Sequence, residues 1–222
     1  MAWPLFRWSH DDKFLARLGD DCIHVYESET MKLIKDKSDK RTSLKVDGVV
    51  DFAWSPSDNH VCYWVPEAGN SPARVTVVEL PSRDEIRQKN LFNLHECRIN
   101  WHPQGDFLAV KVDRHTKTRK TIYTTFELFR MRDRNVAMEV FELEPKETRI
   151  RAFAWEPRGV RFALISGDGP KYDVHIYTME STKGTSKLRL LTKLEKRSAN
   201  TLHWSPLGTT LLMAGVTPLS GD

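Results

Sequence analysis

The side chains able to do chemistry in this chain are present but are not arranged for it. Eight histidines occur, at His10, His24, His60, His95, His102, His115, His175 and His203. No two stand in the H-x-x-x-H spacing that puts a pair of imidazoles on one helical face for zinc. The cysteines Cys22, Cys62 and Cys97 are far apart, lie inside apolar runs and lack a C-x-x-C spacing, so reduced, buried thiols are expected. Ser9, Ser55 and Ser205 each follow a tryptophan and recur as turn residues, unlike a singular nucleophile on a G-x-S-x-G elbow, which is missing. Gly167-Asp168-Gly169-Pro170 lacks the lysine and the strand–loop–helix context of a phosphate loop and reads as a hairpin turn. The acid pairs Asp11-Asp12 and Asp20-Asp21 fall in loops, where solvation accounts for them. These observations predict a protein that is not an enzyme, with no metal and no cofactor.

Basic loops are the remaining candidates for recognition. One runs from Lys32 to Arg41; Arg130, Arg132 and Arg134 form a second group, and Lys187, Arg189, Lys193, Lys196 and Arg197 a third. The densest is Asp113-Arg114-His115-Thr116-Lys117-Thr118-Arg119-Lys120, with no acid after Asp113. Arg114, Lys117, Arg119 and Lys120 are therefore the candidate contacts for RNA phosphate or an acidic partner, because loops on a rigid scaffold commonly carry binding. Solubilisation of the surface is the competing role.

The elements that must hold these loops repeat. Phe6-Arg7-Trp8-Ser9-His10-Asp11-Asp12, Phe52-Ala53-Trp54-Ser55-Pro56-Ser57-Asp58, Ile99-Asn100-Trp101-His102-Pro103-Gln104-Gly105, Phe153-Ala154-Trp155-Glu156-Pro157-Arg158-Gly159 and Leu202-His203-Trp204-Ser205-Pro206-Leu207-Gly208 resemble one another. Their tryptophans, Trp8, Trp54, Trp101, Trp155 and Trp204, are separated by 46, 47, 54 and 49 residues. An apolar residue two before Trp shares its strand face. Proline then presets a tight turn, and a second apolar run follows. Eight residues after each Trp stand Ala16, Cys62, Ala109, Ala163 and Leu212, mostly small, as close packing of a neighbouring sheet requires. The five tryptophans are expected to be structural, buried between sheets.

Third strands are predicted at Cys22–Tyr26, Arg74–Leu80, Phe126–Phe129 and Val174–Tyr177, which are rich in β-branched and aromatic residues. Weaker, more polar fourth strands are predicted at Met31–Ile34, Leu91–Leu94, Val136–Phe141 and Leu188–Leu191, as exposed sheet edges demand. Four strands per interval make a propeller blade. The expected fold is thus all-β, a WD-repeat-like β-propeller of four whole four-stranded blades plus the first half of a fifth, at 3–45, 46–95, 96–147, 148–197 and 198–222. Because propellers close with about 4–8 blades, part of a larger propeller is expected.

Composition agrees with a soluble scaffold. The chain has 222 residues, 40% of them hydrophobic, a formal net charge of +4 and no apolar run of membrane-spanning length. The start Met1-Ala2-Trp3-Pro4 lacks the features of a signal peptide, so a cytoplasmic protein is expected.

Several stretches outside the repeat carry a family resemblance. Trp3 to His10, Val65-Pro66-Glu67, Pro72-Ala73-Arg74-Val75, Arg87-Gln88-Lys89-Asn90-Leu91-Phe92, Val110-Lys111-Val112-Asp113-Arg114, Phe126-Glu127-Leu128-Phe129-Arg130, Ala152 to Pro157 and Ala199 to Pro206 closely resemble the propeller-bearing b subunits of eukaryotic translation initiation factor 3. The resemblance runs in order along essentially the whole chain. It implies a longer protein with an RNA-recognition domain, a nine-bladed propeller and a C-terminal helical segment. It implies a scaffold of the factor 3 complex in preinitiation assembly and scanning. The implied partners are other initiation factor 3 subunits, notably g and i, and the small ribosomal subunit near where mRNA enters, with rRNA or mRNA as candidate contacts. Alternatives are a propeller of the initiation factor 2A type, a generic WD-like interaction scaffold, and a propeller that gates a hydrolase, for which the nucleophile elbow is missing.

Overall fold

A computed structural model of the protein describes residues 4–118, 120–182, 185–186 and 188–216, with residues 181–182 and 185–186 described by backbone alone. Trp3, Arg119 and Lys187 lie outside the described residues.

Each Trp-containing segment folds as the inner strand of an antiparallel sheet. The first sheet runs β1 (Arg7–Trp8), β2 (Phe14–Gly19), β3 (Cys22–Glu27) and β4 (Leu44–Lys45). The second comprises β5 (Asp51–Trp54), β6 (His60–Val65), β7 (Ala73–Glu79) and β8 (Glu85–Leu91). The third comprises β9 (Leu94–Trp101), β10 (Phe107–His115), β11 (Ile122–Arg130) and β12 (Ala137–Glu142). In the fourth, β13 (Ile150–Trp155), β14 (Arg161–Ser166) and β15 (Tyr172–Thr178) are followed by a small hairpin of β16 (Ser181–Thr182) and β17 (Thr185–Ser186), then by the outer strand β18 (Arg189–Arg197). A two-stranded hairpin of β19 (Thr201–Trp204) and β20 (Leu211–Ala214) completes the described chain. Strands pair in chain order within each sheet, which is the up-and-down meander of a propeller blade.

Both faces of the second, third and fourth sheets are apolar because each packs on a neighbour on either side. In β10, Phe107 and Ala109 join Trp155, Phe162 and Leu164 of the fourth sheet, while Leu108, Val110 and Val112 join Cys62, Val75 and Val77 of the second. Phe14 and Val25 meet Phe52 and Val61 in the same manner, and Ala163 and Val174 meet Leu202. The core is therefore a series of inter-sheet layers. The small residues eight positions after Trp sit in these layers: Ala16, Cys62, Ala109 and Ala163 are completely buried. Leu212 is the exception, exposed on the terminal hairpin, where no further sheet covers it among the described residues.

A single hydrogen bond type recurs at every interface. The indole N–H of Trp54 donates to Arg7 O at 3.0 Å, that of Trp101 to Ala53 O at 3.3 Å, that of Trp155 to Asn100 O at 2.9 Å and that of Trp204 to Ala154 O at 3.2 Å. In each case the acceptor is the residue before the preceding sheet's own tryptophan. Trp54 and Trp155 are buried and Trp101 and Trp204 half-buried, whereas Trp8 is 53% exposed. Trp8 thus departs from the expectation of burial, since no sheet packs on its outer side among the described residues.

Two outer strands differ from their predicted positions. In the first sheet, Met31 adopts a left-handed φ of 52°, which breaks the Met31–Ile34 run; Leu33 forms only a bridge to Tyr26, and Leu44–Lys45 supplies the edge by pairing with Ile23 and Cys22. In the second, the edge is Glu85–Leu91, and Phe92 with Asn93 (φ 56°) turns the chain into β9. The remaining outer strands overlap their predicted runs, although β18 extends to Arg197.

Candidate interaction surface at the loop tips

The hairpin between β10 and β11 carries the densest basic run, and the structure divides its cations. Arg114 lies within β10 rather than on the loop. Its Nε donates to Thr125 Oγ1 at 2.8 Å, one terminal nitrogen to Glu127 Oε1 at 2.9 Å, and the other to Phe92 O. The guanidinium is turned inward and engaged by this network, unlike the lysines that follow it. Lys117 and Lys120 stand at the hairpin tip, exposed, with no ion pair among the described residues. Thr116 anchors the tip: its backbone N–H donates to Thr121 O at 3.0 Å. Arg119 belongs to this tip in sequence but lies outside the described residues.

Most other members of the basic groups are neutralised within the fold. Lys35 pairs with Asp39, Lys37 with Asp84 and Arg41 with Glu27. Arg130 donates to Met179 O and pairs with Glu139, tying the third sheet to the fourth. Arg132 reaches Asp58 at 3.0 Å and Asp106 at 3.0 Å and donates to Ser57 Oγ, so it bridges the second and third sheets. Lys193 pairs with Asp173 at 2.9 Å and Arg189 with Glu180 at 3.7 Å. Sequence counts positive charges but not the partners that cancel them.

Two residues of this region escape a reading by charge density. Glu127 is buried in β11 among Phe126, Leu128 and Phe129, and its Oε2 has no hydrogen-bond partner. Burial pushes its carboxyl up, against the opposing pull of Lys89 and Arg114. A lone acid inside an apolar strand run was the available signal. Phe92, by contrast, is 61% exposed at the turn into β9, an aromatic bounding a polar stretch.

Among the described residues, no group of three or more His, Cys, Asp or Glu side chains could hold a metal ion. The three cysteines are buried and free. Burial raises the Cys62 thiol well above its usual range and pushes Cys97 up to about 12, which leaves both protonated and unreactive. Among the described residues no helix is long and apolar enough to cross a membrane.

Comparison with known proteins agrees with this architecture. A crystal structure described as that of the eukaryotic initiation factor superposes with a TM-score of 0.73 at 22% identity, covering 97% of this chain and 48% of that one. The β-propeller domain of Cps50 (Swd1) from Myceliophteria thermophila superposes with a TM-score of 0.52 at 15% identity, covering 94% of this chain and 60% of its own. At these identities the likeness establishes the propeller fold alone. In sequence, the B subunit of eukaryotic translation initiation factor 3 from Arabidopsis thaliana is 47% identical across 100% of this chain and 31% of its own length. The Xenopus laevis protein of the same name is 43% identical across 99% of this chain and 30% of its own. The chain therefore spans a little under a third of the length of these curated relatives. A family model described as Eukaryotic translation initiation factor eIF2A matches residues 89–222. On that match the chain belongs to the eukaryotic translation initiation factor eIF2A family, and over its whole length it closely matches the B subunits of translation initiation factor 3 from plants and animals.

Proposed function

We propose that this chain is a rigid scaffold segment of the translation initiation factor 3 complex in the cytoplasm. Its blades, divided near residues 45, 95, 147 and 197, hold other members of that complex and the small ribosomal subunit during preinitiation assembly. The observation that carries the reading is identity of 47% to a B subunit of that factor along the entire chain. A propeller whose sheets are locked by indole hydrogen bonds and arginine bridges suits this role, because it fixes loop tips in space without moving parts. The g and i subunits of initiation factor 3 are the proposed protein partners. The Lys117, Arg119 and Lys120 hairpin tip is the proposed contact with ribosomal RNA or mRNA.

The test is association of the protein with purified small ribosomal subunits across a salt series, beside a Lys117→Glu/Arg119→Glu/Lys120→Glu variant. Loss of phosphate contacts should weaken binding and reduce the slope of log affinity against log salt by about 0.7–0.9 per contact. An unchanged slope in a folded variant would move the role to protein–protein scaffolding within the complex. The family-model match over residues 89–222 favours, as a second reading, a propeller of the initiation factor 2A type; failure to co-purify with the g and i subunits would favour it.

A further inference from the structure

Four of the stretches that the blade repeat does not explain meet at one place. Glu67, Gly69, Asn70 and Pro72 from the β6–β7 loop, with Phe92 and Asn93 from the turn into β9, line a notch of about 270 Å³. The Arg114 guanidinium, from the Val110–Arg114 stretch, donates to the Phe92 carbonyl. The opposite wall is fixed by paired backbone bonds between Ala68 and Ser71, at 3.0 and 3.1 Å. Phe92 is 61% exposed where it lines the notch. The Asn70 and Asn93 amides are exposed and without side-chain partners among the described residues. His115 N–H donates to Asn93 O at 2.9 Å, so the basic hairpin leaves the sheet beside the notch. Lys117 follows two residues later, within roughly 7 Å of backbone.

We infer that this notch receives a single unstacked nucleobase of single-stranded RNA, with Phe92 as its stacking platform. An aromatic face accepts any base plane, and the free amides present donors and acceptors suited to a base edge. Glu67 adds an acceptor for an exocyclic amino group. Lys117 and Lys120 lie where the strand's phosphates continue. A peptide's aliphatic anchor would need a deep apolar floor, whereas this notch offers one ring rimmed by amides. The inference deepens the proposed contact of the hairpin tip with RNA and rests on that reading.

The experiment measures binding of the intact protein to a fluorescein-labelled oligocytidylate and to an abasic strand of equal length. Phe92→Ala should weaken oligocytidylate binding roughly 5- to 100-fold, the range for loss of one base–aromatic stack. It should leave the abasic strand's affinity, the salt slope and the melting temperature unchanged. Phe92→Trp should keep the affinity, and Phe92→Leu, which is apolar but cannot stack, should not. Lys117→Glu/Lys120→Glu should weaken both strands and flatten the salt slope. If Phe92→Ala binds oligocytidylate like the parent, the notch proposal is overturned; a slope that still responds to the lysines then leaves the hairpin-tip reading standing alone. If neither variant alters binding, both fall. Loss of co-purification with the g and i subunits in Phe92→Ala, with unchanged RNA binding, would identify a protein-docking notch instead and would also overturn the proposal.

Discussion

Tryptophan 155 shows what one residue does for this fold. Its indole is buried, donates to Asn100 O in the preceding sheet, and packs on Phe107, Phe153, Phe162 and His102 with centroids 5.3–5.7 Å away. Removing it deletes an inter-sheet hydrogen bond and opens a cavity that strands cannot collapse into, since both flanking sheets are held elsewhere. Trp155→Ala should therefore cost about 3–5 kcal/mol. Trp8 occupies the same repeat position without a sheet on its outer side. Trp8→Ala in this chain should change stability by no more than about 0.5 kcal/mol, as for surface sites. Paired urea titrations check the contrast, and equal losses would show that the shared motif, not the neighbouring sheet, determines the tryptophan's contribution. The same dependence on neighbours separates Arg114 from Lys117. Both stand in one basic run, yet a buried glutamate thirteen residues away claims the first and leaves the second free.

At the scale of elements, the hairpin after each tryptophan depends on a turn that must pass beneath its neighbour. Gly105 ends the turn of the third sheet with φ of 75°, and a Cβ there would fall 1.8 Å from Ser57 Oγ of the second. Ser57 cannot swing away freely, because it donates to Asp58 and accepts from Arg132. Gly105→Ala thus meets backbone strain and a clash with a tied hydroxyl. A loss of about 1–3 kcal/mol is expected, with the Arg132 bridge broken; a melting temperature equal to the parent's would show that the turn and Ser57 relax together. Inner and middle strands such as Phe107–His115 are legible in sequence because they carry apolar residues on both faces and follow a turn marked by Pro and Gly. The outer strands are not: Glu85–Leu91 is polar, makes ladder bonds on one side, and owes its extended form to β7. Met31–Ile34 has the apolar pattern but not the backbone, since pattern alone does not reveal a left-handed residue. The site was legible as a charged hairpin. The notch beside it was not, because it joins loops of two sheets whose meeting depends on the stacking of the whole fold.

For the whole molecule, stability resides in successive inter-sheet layers, and several layers enclose a neutral imidazole. His102 is completely buried: its Nε2 lies 3.1 Å from Glu156 O as donor, while Nδ1 accepts from the Gln104 N–H at 3.3 Å. A proton on Nδ1 would face that N–H with no acceptor. Burial accordingly lowers the His102 pKa despite the favourable charges of Asp106 and Glu156. His175, buried against Ser166 Oγ at 3.0 Å, is lowered by burial and by Lys193, and His24 and His60 shift in the same direction. Each ring binds a proton less readily in the fold than in the unfolded chain, where its ordinary pKa is about 6.5. The unfolded state then binds more protons, so stability is fully present above about pH 6.5 and falls as pH drops towards each folded pKa. Carboxylates held low, such as Glu156 beside Arg161 and Asp173 beside Lys193, withdraw their contribution only below the ordinary carboxylate range. Acid unfolding should begin with the histidines, well before the ion pairs protonate. His102→Gln/His175→Gln should be less stable at neutral pH yet show a shallower decline between about pH 6.5 and 5 in urea titrations. A decline as steep as the parent's would mean that the two rings carry their protons inside the folded propeller, with Gln104 and Ser166 reoriented to accept them.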